Sequence, residues 1–281
     1  MKPIIGNKEI EAIQDPVYNA QYLTFQPWSA QEIVEKIESN AIEPHLSDVY
    51  SAMASNNTLN EKVNAILYFE SIIVNSTVAN RLINSAFMNL LARMMKSIKS
   101  PMIRVRLCSV VGLLIRHSTV IENDFAEGEV CKQIIEIMKD KNDKIKRKAI
   151  ASLGEFLFYA ATQLDDENAD ACWNIDEEAI STVIRALKPV EDSVVRLYAC
   201  KTLENITAQS NSAGHKFATL ETVKSLLQVF LDPESSDVFK TSAAVALSHI
   251  VRLNYHFFPV VFEQMGPERF CYVLYEGIGR V

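Results

Sequence analysis

Glycine is scarce in this chain, at 8 of 281 residues. Hairpin turns and phosphate-cradling loops depend on backbone conformations that glycine adopts at little cost. So few glycines argue against a hairpin-rich β fold and against a Gly-rich nucleotide loop. Strand-like alternation of apolar and polar residues is rare as well. No apolar run reaches the roughly 18 residues that a membrane span needs, and no secretory leader is recognisable. The five cysteines, Cys108, Cys131, Cys172, Cys200 and Cys271, are odd in number and scattered. Neither a disulfide framework nor a zinc knuckle follows, and free thiols in a reducing compartment are expected. His45, His117, His215, His249 and His256 show no metal-ligand spacing, and Gly-x-Ser-x-Gly is absent. The net charge of −7 lacks the cationic excess that phosphate neutralisation requires. These absences set the expectations: not an enzyme; no catalytic, metal or cofactor-binding residue; no nucleic acid, membrane or small-molecule partner; and a soluble, cytoplasmic or cytoskeleton-associated protein.

What the chain does have is apolar residues at helical spacing, within a composition that is 48% apolar. Ile145, Ala149, Leu153, Phe156 and Leu157 form one stripe along a helix. Val195, Ala199, Leu203 and Ile206 repeat it. Aligned on these positions, Lys62, Arg104, Lys146, Arg196 and Lys240 fall in register, spaced by 42, 42, 50 and 44 residues. A period near forty-odd residues belongs to HEAT and armadillo repeats. The expected fold is all-α: a right-handed α-α superhelix, a HEAT/armadillo-like solenoid of about five to six helical repeats. The long third interval contains Asp165-Asp166-Glu167-Asn168-Ala169-Asp170, read as an acidic surface loop.

Residues 1–27 are broken by Pro3, Gly6, Pro16 and Pro27 yet rich in Ile, Tyr and Phe. They read as an extended strap or linker on the first helices, with residues 28–281 as the solenoid. Ser29 with Glu32 forms a capping box for the first helix. Asn60 is the expected cap of a later one. Asp176 is expected to cap a helix running to Leu187. Phe125 to Gly128 reads as a connector and Asn211 to His215 as a polar link. Phe270 to Tyr275 reads as a last amphipathic helix.

The basic row Lys62, Arg104, Lys146, Arg196 and Lys240 is the candidate partner-binding ladder for an acidic segment. The competing assignment pairs each cation with an acid at the start of its own helix, such as Asp143, Asp192 or Asp237. Asn205 stands where peptide-holding armadillo proteins carry an asparagine ladder. Its equivalents, Ser71, Leu113, Glu155 and His249, make no ladder, so Asn205 reads as a local hydrogen-bonding residue. Phe87, Met88, Met94 and Met95 read as core rather than as an adaptable surface.

Several stretches carry a more specific likeness. They are Lys2-Pro3-Ile4-Ile5-Gly6-Asn7-Lys8-Glu9-Ile10-Glu11, Tyr68-Phe69-Glu70-Ser71 and Arg104-Val105-Arg106-Leu107, then Gly112-Leu113-Leu114-Ile115-Arg116-His117. Leu153-Gly154-Glu155-Phe156-Leu157-Phe158-Tyr159 and Lys201-Thr202-Leu203-Glu204-Asn205-Ile206 add to these. In them the chain resembles the carboxy-terminal HEAT/armadillo-like region of the Runkel/Unc-51-like kinase 4 family of pseudokinases. The resemblance implies a repeat region separated from its kinase-like domain, acting as a non-catalytic protein–protein interaction scaffold. It further implies roles in microtubule and cilium organisation and in cytokinesis. A Fused-type kinase or microtubule-associated proteins are the implied partners, with the ciliary basal body among the locations. The alternatives are an armadillo-type receptor for short acidic peptides and a regulatory subunit of a kinase.

Overall fold

A computed structural model describes residues 17–54, 57–164 and 173–271. The acidic segment at 165–170, the first sixteen residues of the expected strap and most of the expected last helix lie outside them. Every regular element among the described residues is helical. The α-helices are α1 (Ala30–Lys36), α2 (Ile42–Ala54), α3 (Leu59–Ile72), α4 (Ser76–Ile83), α5 (Phe87–Ser97) and α6 (Pro101–His117). Then come α7 (Asn123–Glu127), α8 (Val130–Ile137), α9 (Asp143–Leu164), α10 (Glu177–Ala186) and α11 (Ser193–Gln209). Last are α12 (Asn211–Phe217), α13 (Leu220–Leu231), α14 (Asp237–Leu253) and α15 (Phe258–Met265). Short helices lead into a long one again and again, and α3, α6, α9, α11 and α14 are the long members. The architecture is an all-α helical-repeat solenoid. None of the described helices is long and apolar enough to cross a membrane.

The chain divides into two compact units. The first is Ala12–Tyr159 with Asp170–Asn174, and the second holds the rest. In the first unit α2 packs on α3, α3 and α4 pack on α6, and α5 packs on α8. Val49, Phe69, Leu107, Leu114, Ile145 and Leu153 are fully buried. Phe87, Met88, Met94 and Met95 are core residues. α6 and α9 approach closely: the Ser152 hydroxyl donates to the Cys108 carbonyl at 2.5 Å. A β-carbon on Gly112 would lie 2.7 Å from that hydroxyl and 3.3 Å from the Ser152 α-carbon. Gly112 is therefore required by helix contact rather than by a turn. In the second unit α11 and α13 pack on α14, and Val183, Leu203, Leu227, Ala243 and Ile250 are buried.

Capping sets the register of the long helices. Thr58 opens α3, its hydroxyl accepting from the Glu61 amide at 3.3 Å while Glu61 Oε2 accepts from the Thr58 amide at 2.8 Å. Asn60, the expected cap, sits inside the helix, because Thr58 and Glu61 form the reciprocal pair two residues earlier. The Ser29/Glu32 box at α1 is present. Asp176 occupies the N-cap position of α10 without a side-chain cap bond. The segment expected as a polar link at Asn211 to His215 is helical instead, within α12. Ser210 caps it, and Ala213, Gly214 and Phe217 are buried. Their spacing places three small or apolar residues on one face, packed on α11 and α14, which outweighs the polar composition. Phe125 likewise draws its connector into the short helix α7.

Candidate interaction surface

The five ladder residues occupy one register. Each backbone amide donates to the carbonyl of the residue four before it: Lys62 to Thr58, Arg104 to Ser100, Lys146 to Asn142, Arg196 to Asp192 and Lys240 to Ser236, at 2.9–3.1 Å. These five carbonyls belong to the residues that precede the long helices. Three of the side chains then reach back towards the end of the helix before. Arg104 Nε donates to the Ile98 carbonyl at 3.0 Å, Arg196 Nε to the Leu187 carbonyl at 3.2 Å, and Lys240 Nζ to the Pro233 carbonyl at 3.2 Å. Helix C-termini leave carbonyls without intrahelical partners and carry the negative end of the dipole, so cations fit there. Arg104 also pairs with Asp140 at 2.8 Å, and the Arg196 guanidinium lies 5.2 Å from the centre of the Phe239 ring. Lys146 is partnered too.

Arg104 meets its acid outside its own helix, at Asp140 in the turn before α9. Asp192 uses its carboxylate to cap α11, accepting from the Val194 and Val195 amides. Asp232, in the turn before α14, feels the charges of Arg196 and Lys240. The Asn142 amide, then Arg104, holds the Asp140 carboxyl below the usual carboxylate range. The Glu234 amide and the Ser235 hydroxyl do the same for Asp232, with Arg196 and Lys240 adding to them.

A second polar row was not picked out in the sequence. Glu70, on α3, accepts from Arg106 at 3.2 Å and from the Ser109 hydroxyl, both on α6. The Glu70 and Arg106 side chains are each 11% exposed. Glu204, on α11, accepts from Lys201 at 2.7 Å and from the Ser242 hydroxyl on α14 at 2.8 Å. Both glutamates lie twelve residues after the N-cap of their helix. That shared offset, with Phe69 and Leu203 directly before the two glutamates, is the signal the sequence offers.

The positions one residue further on are Ser71, Leu113, Glu155, Asn205 and His249. Asn205 Nδ2 is buried without a hydrogen-bond partner, so the expectation of a local hydrogen-bonding role for this amide is overturned. Burial pushes the Glu155 carboxyl up to about 7, with Arg116 opposing. Thr207 and His249 Nδ1 lie 3.4 Å apart.

Residues 17–29 lie along α2 and α3 and are held by side chains that address the main chain. The Asn19 amide donates to Asn64 Oδ1 and Asn64 Nδ2 donates to the Asn19 carbonyl, both at 2.7 Å. The Trp28 amide donates to the Tyr68 hydroxyl at 3.1 Å, and that hydroxyl lies 2.7 Å from His45 Nε2. Trp28 stacks on His45 with centroids 4.0 Å apart, and the Lys36 ammonium sits 4.2 Å over the indole. Tyr18 and Phe25 each meet Tyr68 edge-on at 5.2 Å. Burial pushes the His45 imidazole below its ordinary value; Asp48 and Glu32 oppose this and Lys36 adds to it. The neutral ring is the form that accepts the Tyr68 proton.

Two cavities open elsewhere. One of about 620 Å³ has Arg93 and Lys96 on α5 facing Asp124, Glu127 and Glu129 around α7. The other, about 380 Å³, is apolar and lined by residues of α13, α14 and α15, Phe258 among them, and by Phe270. Among the described residues no cluster of His, Cys, Asp and Glu could hold a metal ion.

No protein-family model matches the chain. It is 26% identical to the serine/threonine-protein kinase RUNKEL of Arabidopsis thaliana over 293 aligned positions, which span 100% of this chain and 21% of that protein. It is 24% identical to the serine/threonine-protein kinase ULK4 of Mus musculus over 270 positions, spanning 94% of this chain and 21% of that one. The chain thus spans about a fifth of the length of the curated relatives it matches. Solved structures with the same fold include the designed armadillo repeat protein YIII(Dq)4CqI, at TM-score 0.58 and 16% identity, covering 79% of this chain and 87% of that one. A designed armadillo protein in complex with the peptide (KR)4 gives 0.59 at 14% identity, covering 79% and 87%. One computationally designed for modular peptide recognition also gives 0.59 at 14%, covering 78% and 85%. The chain therefore has an all-α repeat fold similar to that of armadillo proteins, and its sequence is similar to about a fifth of RUNKEL and of ULK4.

Proposed function

We propose that this chain is a non-catalytic interaction scaffold that serves a kinase-like protein by holding other proteins. The observation that carries it is the joint likeness: along its whole length to two proteins named as kinases, of which it covers a fifth, and in fold to repeat proteins built for peptide recognition. The family resemblance read from the sequence adds, as a proposal, a role in microtubule and cilium organisation and in cytokinesis, a cytoplasmic or basal-body location, and microtubule-associated proteins or a Fused-type kinase as partners. Division of labour with a separate kinase-like part also fits a regulatory subunit of a kinase.

The ladder is proposed to brace the repeats rather than to grip an acidic peptide. Arg104 and Arg196 already bond to carbonyls at helix ends and Lys240 to one in the turn beyond α13, and a peptide would have to compete for them. One experiment addresses both proposals. The purified chain is co-sedimented with stabilised microtubules, unaltered and as Arg104→Glu/Arg196→Glu. Saturable pelleting of both forms at the same concentration, with a lower melting temperature for the variant alone, is expected. A chain that stays in the supernatant removes the microtubule proposal. Pelleting lost in a variant that melts like the unaltered chain makes the ladder a partner site.

A further inference from the structure

Asn64 treats Asn19 as a strand neighbour would. It gives one donor and one acceptor to the amide and carbonyl of a single residue, each at 2.7 Å. Such a pair reads extended backbone and ignores the side chain it carries. Tyr68 adds a third main-chain contact nine residues further along, on the Trp28 amide. Specificity at this face comes instead from rings. Tyr18 and Phe25 meet Tyr68, and Trp28 stacks on His45.

The segment so held is weakly anchored. None of residues 17–29 is fully buried, and Val17 and Tyr22 are 85% and 66% exposed. The face beneath it is well built: Tyr68 is fully buried as a residue and His45 is 6% exposed. Segments with few buried apolar contacts open at a fraction of the global unfolding free energy. A receptor of fixed geometry is thus covered by a short stretch whose contacts any chain of the same chemistry can reproduce.

We propose that the α2–α3 face carrying His45, Asn64 and Tyr68 is a docking site for an extended, aromatic-bearing segment of a partner protein, and that residues 17–29 occupy it in cis. Access in trans is then controlled by the strap. The covalently attached strap acts at an effective concentration in the millimolar range, so a partner binds well only when the strap is weakened or displaced. This deepens the scaffold proposal by naming one surface. Its failure leaves the microtubule experiment untouched.

The test uses the full chain with its strap weakened by Tyr18→Ala, Phe25→Ala and Trp28→Ala. The probe is a fluorescein-labelled peptide with the sequence of Val17 to Ser29, read by anisotropy. The weakened chain is expected to bind it at least about tenfold more tightly than the unaltered chain, and adding Asn64→Leu to remove about tenfold again. No gain in the weakened chain with its helical circular dichroism intact overturns the proposal. So does a dimer of the unaltered chain that exchanges straps, because the face is then a self-assembly contact. Loss of helical signal on weakening makes the strap part of the core and overturns it as well. Amide exchange in the unaltered chain gives an independent readout. Asn19 and Trp28 are expected to exchange at least about a hundredfold faster than Phe69 inside α3. Equal protection sinks the idea.

Discussion

Glu155 shows how a single residue makes stability depend on pH. Its carboxyl is pushed by burial up to about 7, against an ordinary value of 4.5, and Arg116 only partly offsets this. Between those values the folded chain holds a proton that the unfolded chain has released. This contribution to stability is therefore complete below pH 4.5 and is lost as pH rises through about 7. Above that, a half-buried carboxylate remains with a cation nearby that does not fully compensate it. Glu155→Gln is expected to stabilise the chain at pH 8 by roughly 1–2 kcal/mol and to change little at pH 5. Urea melts of both forms at the two pH values check this. An equal effect at both would mean that the charge of Glu155 is irrelevant. Asn205, one step from Glu204 on α11, is a contrasting case. Its buried Nδ2 finds no acceptor, and an unmade bond of this kind costs about 1–3 kcal/mol. Helical spacing located both residues, but it carries no information about which atoms the neighbouring helix presents to them.

At the scale of elements, the helix starts were legible wherever a capping pair was written in consecutive residues. Ser29 with Glu32 is such a case, and the observed box agrees. Asn60 was a plausible cap by residue type, yet Thr58 takes the role because Glu61 stands three residues after it. The distinction is measurable. Thr58→Ala should cost about 1 kcal/mol by chemical denaturation, while Asn60→Ala should fall within about 0.5 kcal/mol of the unaltered chain. A larger loss at Asn60 than at Thr58 would move the helix start. α12 escaped the sequence because Asn211, Ser212, His215 and Lys216 make it look like a link. Its buried residues, Ala213, Gly214 and Phe217, are too few to stand out. The Glu70–Arg106 and Glu204–Ser242 bonds escaped for another reason: each joins residues 36–38 positions apart, and only packing brings them together. Residues 1–27 read as an apolar, extended strap, and among those described Ala20–Tyr22 form a 3-10 turn instead. The pairing of Asn19 with Asn64 depends on the orientation of α3, which no local pattern encodes.

For the molecule as a whole, the repeat rests on one register shared by five helices. Counting seven residues from the residue before each long helix gives Ala65, Leu107, Ala149, Ala199 and Ala243, each no more than 1% exposed. Four of the five are alanine, so neighbouring helices approach closely at that level and leave no room for a longer side chain. The intervals between these positions are irregular, yet burial is the same at every one, so the equivalence lies in packing and not in even spacing. A charge placed there has neither water nor a prepared partner. Ala65→Glu, Ala149→Glu, Ala199→Glu and Ala243→Glu, made one at a time, should each cost at least about 3 kcal/mol and lower the melting temperature by many degrees. Gln228→Glu, at an exposed position of α13, should stay within about 0.5 kcal/mol. Thermal melts of the five variants side by side decide the point. If one alanine accepts glutamate as quietly as Gln228 does, that helix is out of register, and the forty-odd-residue repeat does not extend through it.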